Sequence, residues 1–109
     1  MARYMVLHTY KKSPEEFWKF FGEQGPGLAR QMAAGEIPAK CIKSWNPSSY
    51  GRNDYIFCLW EADKPEQVDA ALALTADYIT WDIIQVDEID WAELAKAAVP
   101  LGQPVGQPI

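Results

Sequence analysis

His8 is the only histidine of the chain, and Cys41 and Cys58 are its only cysteines. These three side chains are the best suited to proton transfer, thiol chemistry or metal ligation. Imidazole titrates near neutrality, so His8 is the candidate catalytic residue, as a general base or an anchor for a ligand. The plainer alternative is a hydrogen-bonded histidine in a core or cavity wall. One His and two Cys make three ligands, enough in principle for an open zinc site. They come from separate segments and lack CxxC or HxxxH spacing, so His8, Cys41 and Cys58 are weak metal candidates and no metal is expected.

The cysteines flank the loop in KCIKSWNPSSYGRNDYIFCLWE, residues 40–61. A hairpin closing symmetrically about that loop puts Cys41 opposite Cys58. Lys43, Trp45, Asp54, Ile56 and Trp60 then share their face. A one-residue slip separates the two thiols, and a long loop does not fix register as a two-residue turn does. Two small apolar residues in a sheet is the favoured reading. A redox pair needs a lowered thiol pKa, and Lys43 is the one nearby cation.

Large or polar-tipped aromatics recur around these positions. Tyr4, Tyr10, Lys43, Trp45, Tyr55 and Trp60 fall on strand-like runs, and Tyr78 and Trp81 precede the last one. Such a set can line an apolar pocket with a few polar anchors, which makes these eight the candidate ligand-binding residues. Core packing and interface packing explain them equally well.

The elements that must position these residues can be read in order. RYMVLHTY, residues 3–10, is a strand apolar on both parities. Ser13-Pro14-Glu15-Glu16 starts a helix, with Ser13 as cap and Glu16 completing a capping box. Phe17, Phe20, Phe21, Leu28 and Met32 keep helical phase to an end near Gly35. Gly25-Pro26-Gly27 predicts a kink or short break. Strands follow at 39–46 and 54–62. Asp63 and Glu66 predict a second capping box, for a helix to about Thr75. A strand over 83–89 and a short helix over 91–98, capped by Asp90, complete a single domain over 1–98. The Gly-Gln-Pro repeats of residues 99–109 predict a disordered tail or an arm docked on a neighbour.

The order β-α-β-β-α-β predicts a ferredoxin-like α+β fold with a four-stranded antiparallel sheet. Two helices cover one face of such a sheet. Yet YIFCLWE is apolar on both parities, so a second copy is expected to cover the other face, making a homodimer.

Composition narrows the partners. A net charge of -5, with no basic run, argues against nucleic acid. No apolar stretch approaches the roughly 20 residues of a membrane span. MARYMVLHTYKK lacks the layout of a secretory signal, so a cytoplasmic protein with reduced cysteines is expected. Five Trp, five Tyr and four Phe exceed what so small a core needs, which points to a covered ligand or subunit. No nucleotide motif, Ser-His-Asp order or zinc signature occurs, and no cofactor is expected.

The strand run YMVLHTY, the hairpin with Trp45 before its loop, YIFCLWEADKPEQVDAAL passing into a helix, and the short strand after Tyr78 together resemble the dimeric α+β barrel superfamily. Muconolactone isomerases and antibiotic-biosynthesis monooxygenases belong to it. The resemblance is one of pattern over residues 3–90 and includes no diagnostic catalytic motif. It implies a cavity for a small hydrophobic or aromatic molecule. The function expected is binding of such a molecule. The alternative is a cofactor-independent isomerase or monooxygenase acting on a small aromatic or lactone-like substrate, with His8 moving a proton, and the residues leave catalysis open. A metal-binding protein is the weaker alternative.

Overall fold

Four β-forming runs pair in a computed structural model of the chain, which describes residues 1–97. They are β1 (Ala2–His8), β2 (Ala39–Trp45), β3 (Ile56–Ala62) and β4 (Asp82–Val86). Helices α1 (Pro14–Ala33), α2 (Pro65–Leu72) and α3 (Trp91–Lys96) alternate with and follow them. All pairings are antiparallel, in an open sheet of order β2-β3-β1-β4. This α+β architecture is compatible with the ferredoxin-like arrangement. The Pro/Gly tail expected at 99–109 lies outside the described residues. Among those residues no helix is long and apolar enough to cross a membrane.

Local chemistry accounts for the helix ends. Ser13 Oγ accepts from the Glu16 amide, and Glu16 Oε2 accepts from the Ser13 amide, the reciprocal pairing of a capping box. Asp90 caps α3 through the amides of Ala92 and Glu93. At α2 the expected box shifts by one residue. Lys64 holds the cap position, and Gln67 Oε1 accepts from the amides of Asp63 and Lys64.

The break expected at Gly25-Pro26-Gly27 does not occur, and α1 runs unbroken through it. Proline strains a helix by clashing with the carbonyl four residues back and by restricting the residue before it. Those positions here are Gly22 and Gly25, which have no Cβ to add to the crowding. A Cβ at Gly25 would also lie 3.2 Å from the Phe21 ring. The helix ends at Ala33, and Gly35 just beyond the Ala34 cap has a φ of 75°, which suits glycine.

Strand parity divides the sheet. Tyr4, Val6, His8, Ala39, Ile56, Cys58, Trp60 and Ala62 are buried on the helix side, with Phe17 and Met32 of α1 and Val68, Ala71 and Leu72 of α2. The opposite face carries Met5, Leu7, Phe57, Leu59, Ile84 and Val86 in register. Arg3 lies at its margin, bonded to Glu61 at 3.1 Å and to Glu88 at 3.4 Å.

The β2–β3 register differs from the symmetric hairpin. Cys41 lies opposite Trp60, a β-bulge follows between Cys41 and Lys43, and beyond it Ser44 lies opposite Cys58. The extra residue reverses the parity of the positions beyond the bulge. Both cysteines therefore face the helices. Lys43 and Trp45, expected beside them, pair with Leu59 and Phe57 on the open face.

Candidate functional site

The amphipathic α1 spans the helix side of the sheet without closing onto it. Between them lies an open-sided cavity of about 570 Å³. Phe17, Trp18, Phe21, Leu28 and Met32 of α1 form one wall. Cys41 and Ser44 of β2, Ile56, Cys58 and Trp60 of β3, and His8 at the end of β1 form the floor. Leu72, Leu74, Thr75 and Ile79 close one end. The helical phase that singled out Phe17, Phe21, Leu28 and Met32 thus describes a cavity wall as well as a core face. Trp18 meets the Phe17 and Phe21 rings edge to face, with Phe17–Trp18 centroids 4.8 Å apart and Trp18–Phe21 centroids 5.6 Å apart.

His8 is almost wholly buried, at 1 % exposure. Its Nδ1 lies 2.9 Å from the Thr80 carbonyl oxygen. A carbonyl can only accept, so Nδ1 carries the proton and Nε2 of the neutral ring is left as an acceptor. Burial lowers the His8 pKa and the Thr80 bond raises it by less, so the imidazole is neutral at physiological pH.

The two thiols are free and are joined through one hydroxyl. Ser44 Oγ lies 3.4 Å from Cys41 Sγ and 3.2 Å from Cys58 Sγ. The Cys58 thiol beside it lowers the Cys41 pKa to about 7, against burial and with help from Ser44. The same pairing, reinforced by burial, pushes Cys58 up. One proton leaves the pair easily and the second does not. The signal for Ser44 was unreadable in the sequence, because only the bulge brings it between the cysteines.

Trp60 is buried at 2 %, and its Nε1 has no hydrogen-bond partner among the described residues. The nearby Cys58 sulfur gains from this N–H when it is negative.

The other candidate residues lie elsewhere. Tyr4 is in the core opposite Trp60. Tyr10 pairs with Ile79 beyond the end of β1, and its hydroxyl accepts from Trp18 Nε1 at 3.1 Å. That bond braces the aromatic wall from behind. Tyr55 is largely exposed, next to Phe57. Tyr78 stacks on Phe20 at 4.4 Å, with Lys12 Nζ 4.7 Å from its ring centre. Trp81 Nε1 donates to Asp69 Oδ1 at 2.7 Å, tying the residue that precedes β4 to α2. No group of three or more His, Cys, Asp or Glu among the described residues is placed to hold a metal ion, so His8 does not join the two cysteines as a ligand set.

No family model, curated protein or solved structure matches the chain.

Proposed function

We propose that the chain binds a small, flat, hydrophobic or aromatic molecule in the cavity between α1 and the sheet. The cavity itself carries this reading. Its volume of about 570 Å³ falls within the roughly 300–1,000 Å³ common for small-molecule sites. Its walls are mainly aromatic and aliphatic, with a minority of polar groups: His8 and Ser44 on the floor, Gln24 on the helix, Thr75 at one end, and Lys40 and Asn46 along β2 and just past it. The test is titration with N-phenyl-1-naphthylamine, a neutral apolar dye. Saturable binding of one dye per chain is expected. Ala29→Trp, at the α1 wall, should weaken it by about ten-fold or more. Binding that does not saturate, or that ignores this substitution, contradicts the reading.

The proposal extends to a homodimer of the dimeric α+β barrel type. Met5, Leu7, Phe57 and Leu59 form a continuous apolar strip on the open face, and a second sheet is the economical cover for it. Mass measurement in solution at micromolar concentration is expected to give a dimer, and Leu59→Lys a monomer. A monomeric wild type ends this part of the proposal.

A second reading rests on His8. A neutral imidazole in a cavity floor, with Nδ1 held by Thr80 and Nε2 left as acceptor, is arranged to take a proton from a bound molecule. The proposed activity is a cofactor-independent isomerisation or oxygenation of a small aromatic or lactone-like substrate. It predicts deuterium uptake from solvent at the α-carbon of a bound aryl ketone, lost in His8→Gln. Equal uptake in both proteins sinks it.

A further inference from the structure

Binding alone makes no use of the thiols on the cavity floor. Cys41 and Cys58 come from neighbouring strands, both line the cavity, and Ser44 Oγ stands between their sulfurs. Cys41 is the more accessible of the two, half-buried where Cys58 is buried. Around this pair stand three hydrogen-bond donors, the second thiol, the Ser44 hydroxyl and a buried indole N–H with no other partner among the described residues. One acceptor stands there too, the Lys43 carbonyl 3.7 Å from Cys41 Sγ, which the Cys41 thiol meets when protonated. An orphaned buried donor is costly, and it is best explained by a charge that it stabilises part of the time. The second thiol and the Ser44 hydroxyl favour a negative charge on Cys41, and Ser44 and the indole favour one on Cys58, inside walls that are mostly apolar.

We infer that Cys41 and Cys58 form a dithiol centre that reduces hydroperoxides carried on apolar molecules of a size that the cavity admits. The inference rests on the cavity being a binding site, as proposed above. Reactive cysteines are accessible, are held as thiolates, and often stand beside a thiol that resolves the oxidised product. Cys41 is the accessible member, with a thiol pKa lowered by its neighbours, and Cys58 stands beside it as the resolving thiol. The bulge in β2 is what brings the two sulfurs within reach of one hydroxyl.

The steps balance. The Cys41 thiolate attacks the outer peroxide oxygen of ROOH, so an S–O bond forms and the O–O bond breaks. The alkoxide RO⁻ leaves and takes up a proton to become ROH, and Cys41 is then a sulfenic acid. Cys58 sulfur attacks Cys41 sulfur, so an S–S bond forms and the S–O bond breaks. The leaving hydroxide combines with the Cys58 proton as water. In sum, one hydroperoxide gains two electrons and two thiols become a disulfide. A small dithiol reductant returns the disulfide to the starting state by exchange.

The experiment mixes the reduced chain with one equivalent of cumene hydroperoxide and follows thiol content and intact mass. Loss of both thiols with formation of one cumyl alcohol is expected. The rate should exceed that of the same thiols in the urea-unfolded chain by about ten-fold, the gain from an attacking thiol about half ionised at neutral pH against a few per cent in the unfolded chain. Hydrogen peroxide, which gains nothing from apolar walls, should react more slowly than the cumyl compound. Cys58→Ser should stop at a sulfenic acid on Cys41, trapped by dimedone, and Cys41→Ser should react no faster than the unfolded chain. Ser44→Ala keeps both thiols and alters an exposed residue, so it tests the centre even if a cysteine variant fails to fold. It should slow oxidation roughly three-fold, for one lost hydrogen bond.

Native thiols that react no faster than unfolded ones overturn the inference, and so does Cys58→Ser without sulfenic acid on Cys41. Equal rates with the two peroxides overturn the apolar substrate class. Dye titration of the same samples separates the two proposals. Dye bound with thiols inert defeats the dithiol centre alone, and no dye bound defeats the binding reading.

Discussion

Trp60→Ala is expected to destabilise the fold by about 3–5 kcal/mol, the usual cost of truncating a buried Trp or Phe. For a domain whose whole stability is about 5–15 kcal/mol, such a loss removes a large share of the total. Trp60 lies on β3 opposite Tyr4 on one side and Cys41 on the other, so its ring is central to the helix-side face. It also forms part of the cavity floor, and truncation would enlarge a void that is already there. The Tyr10–Trp18 bond fixes Trp18 on the helical wall, which limits how far that wall can relax into the void. Trp60→Phe should behave differently. It keeps most of the apolar area and removes an indole N–H that has no partner among the described residues. Relief of that unpaired donor offsets the lost ring area, and a change within about 1.5 kcal/mol is expected. Urea denaturation with unchanged m-values measures both. Trp60→Ala within about 1 kcal/mol of wild type, the average cost of any substitution, would show that the ring is not a structural member.

The residues that declare themselves in the sequence are those governed by local chemistry. Ser13 with Glu16, and Asp90 before Trp91, mark helix starts through hydrogen bonds that span three residues or fewer. The alternation of Tyr4, Val6 and His8 marks the buried side of β1 because strand parity is strictly two. What the sequence conceals depends on register between distant segments. Cys41 and Cys58 occupy the same face under both the symmetric and the observed pairing, because the latter shifts β2 by two residues before the bulge. Lys43 and Trp45 do not survive the change, since one extra residue reverses their side. Nothing in KCIKSWN marks Ile42 as the site of that irregularity. Pro26 was misleading for a related reason. A proline's effect depends on the residues one and four before it, and both are glycine here. The cavity was legible as a surplus of aromatic side chains, yet its wall is helical. Phe17, Trp18 and Phe21 line it, whereas most of the strand aromatics brace its surroundings or turn outward.

His8 should leave a mark on the pH dependence of stability. Burial depresses its pKa below the ordinary value of 6.5, so the folded state resists a proton that the unfolded chain accepts. Between 6.5 and the depressed folded value, the unfolded state binds more protons than the native state. The unfolding free energy therefore rises with pH across that window and falls as the solution is acidified below 6.5. The slope contributed by one such group is at most about 1.4 kcal/mol per pH unit. Above pH 6.5 the imidazole is neutral in both states and contributes no slope. Below the folded value it is charged in both, and the slope vanishes again. Carboxylates with depressed pKa values, such as Asp54 beside Arg52, act in more acidic solution and are separable on that ground. His8→Leu removes the titration. It should cost stability at pH 7.5, because the ring is buried and its bond to Thr80 is lost. It should also flatten the profile just below 6.5, so that the gap between variant and wild type narrows on acidification. The comparison is made by urea denaturation at a series of pH values from 7.5 downward. A gap that stays constant would mean that His8 titrates alike in the folded and unfolded chain, and a gap that widens on acidification would mean that the fold favours the charged ring; either result removes the neutral acceptor at Nε2.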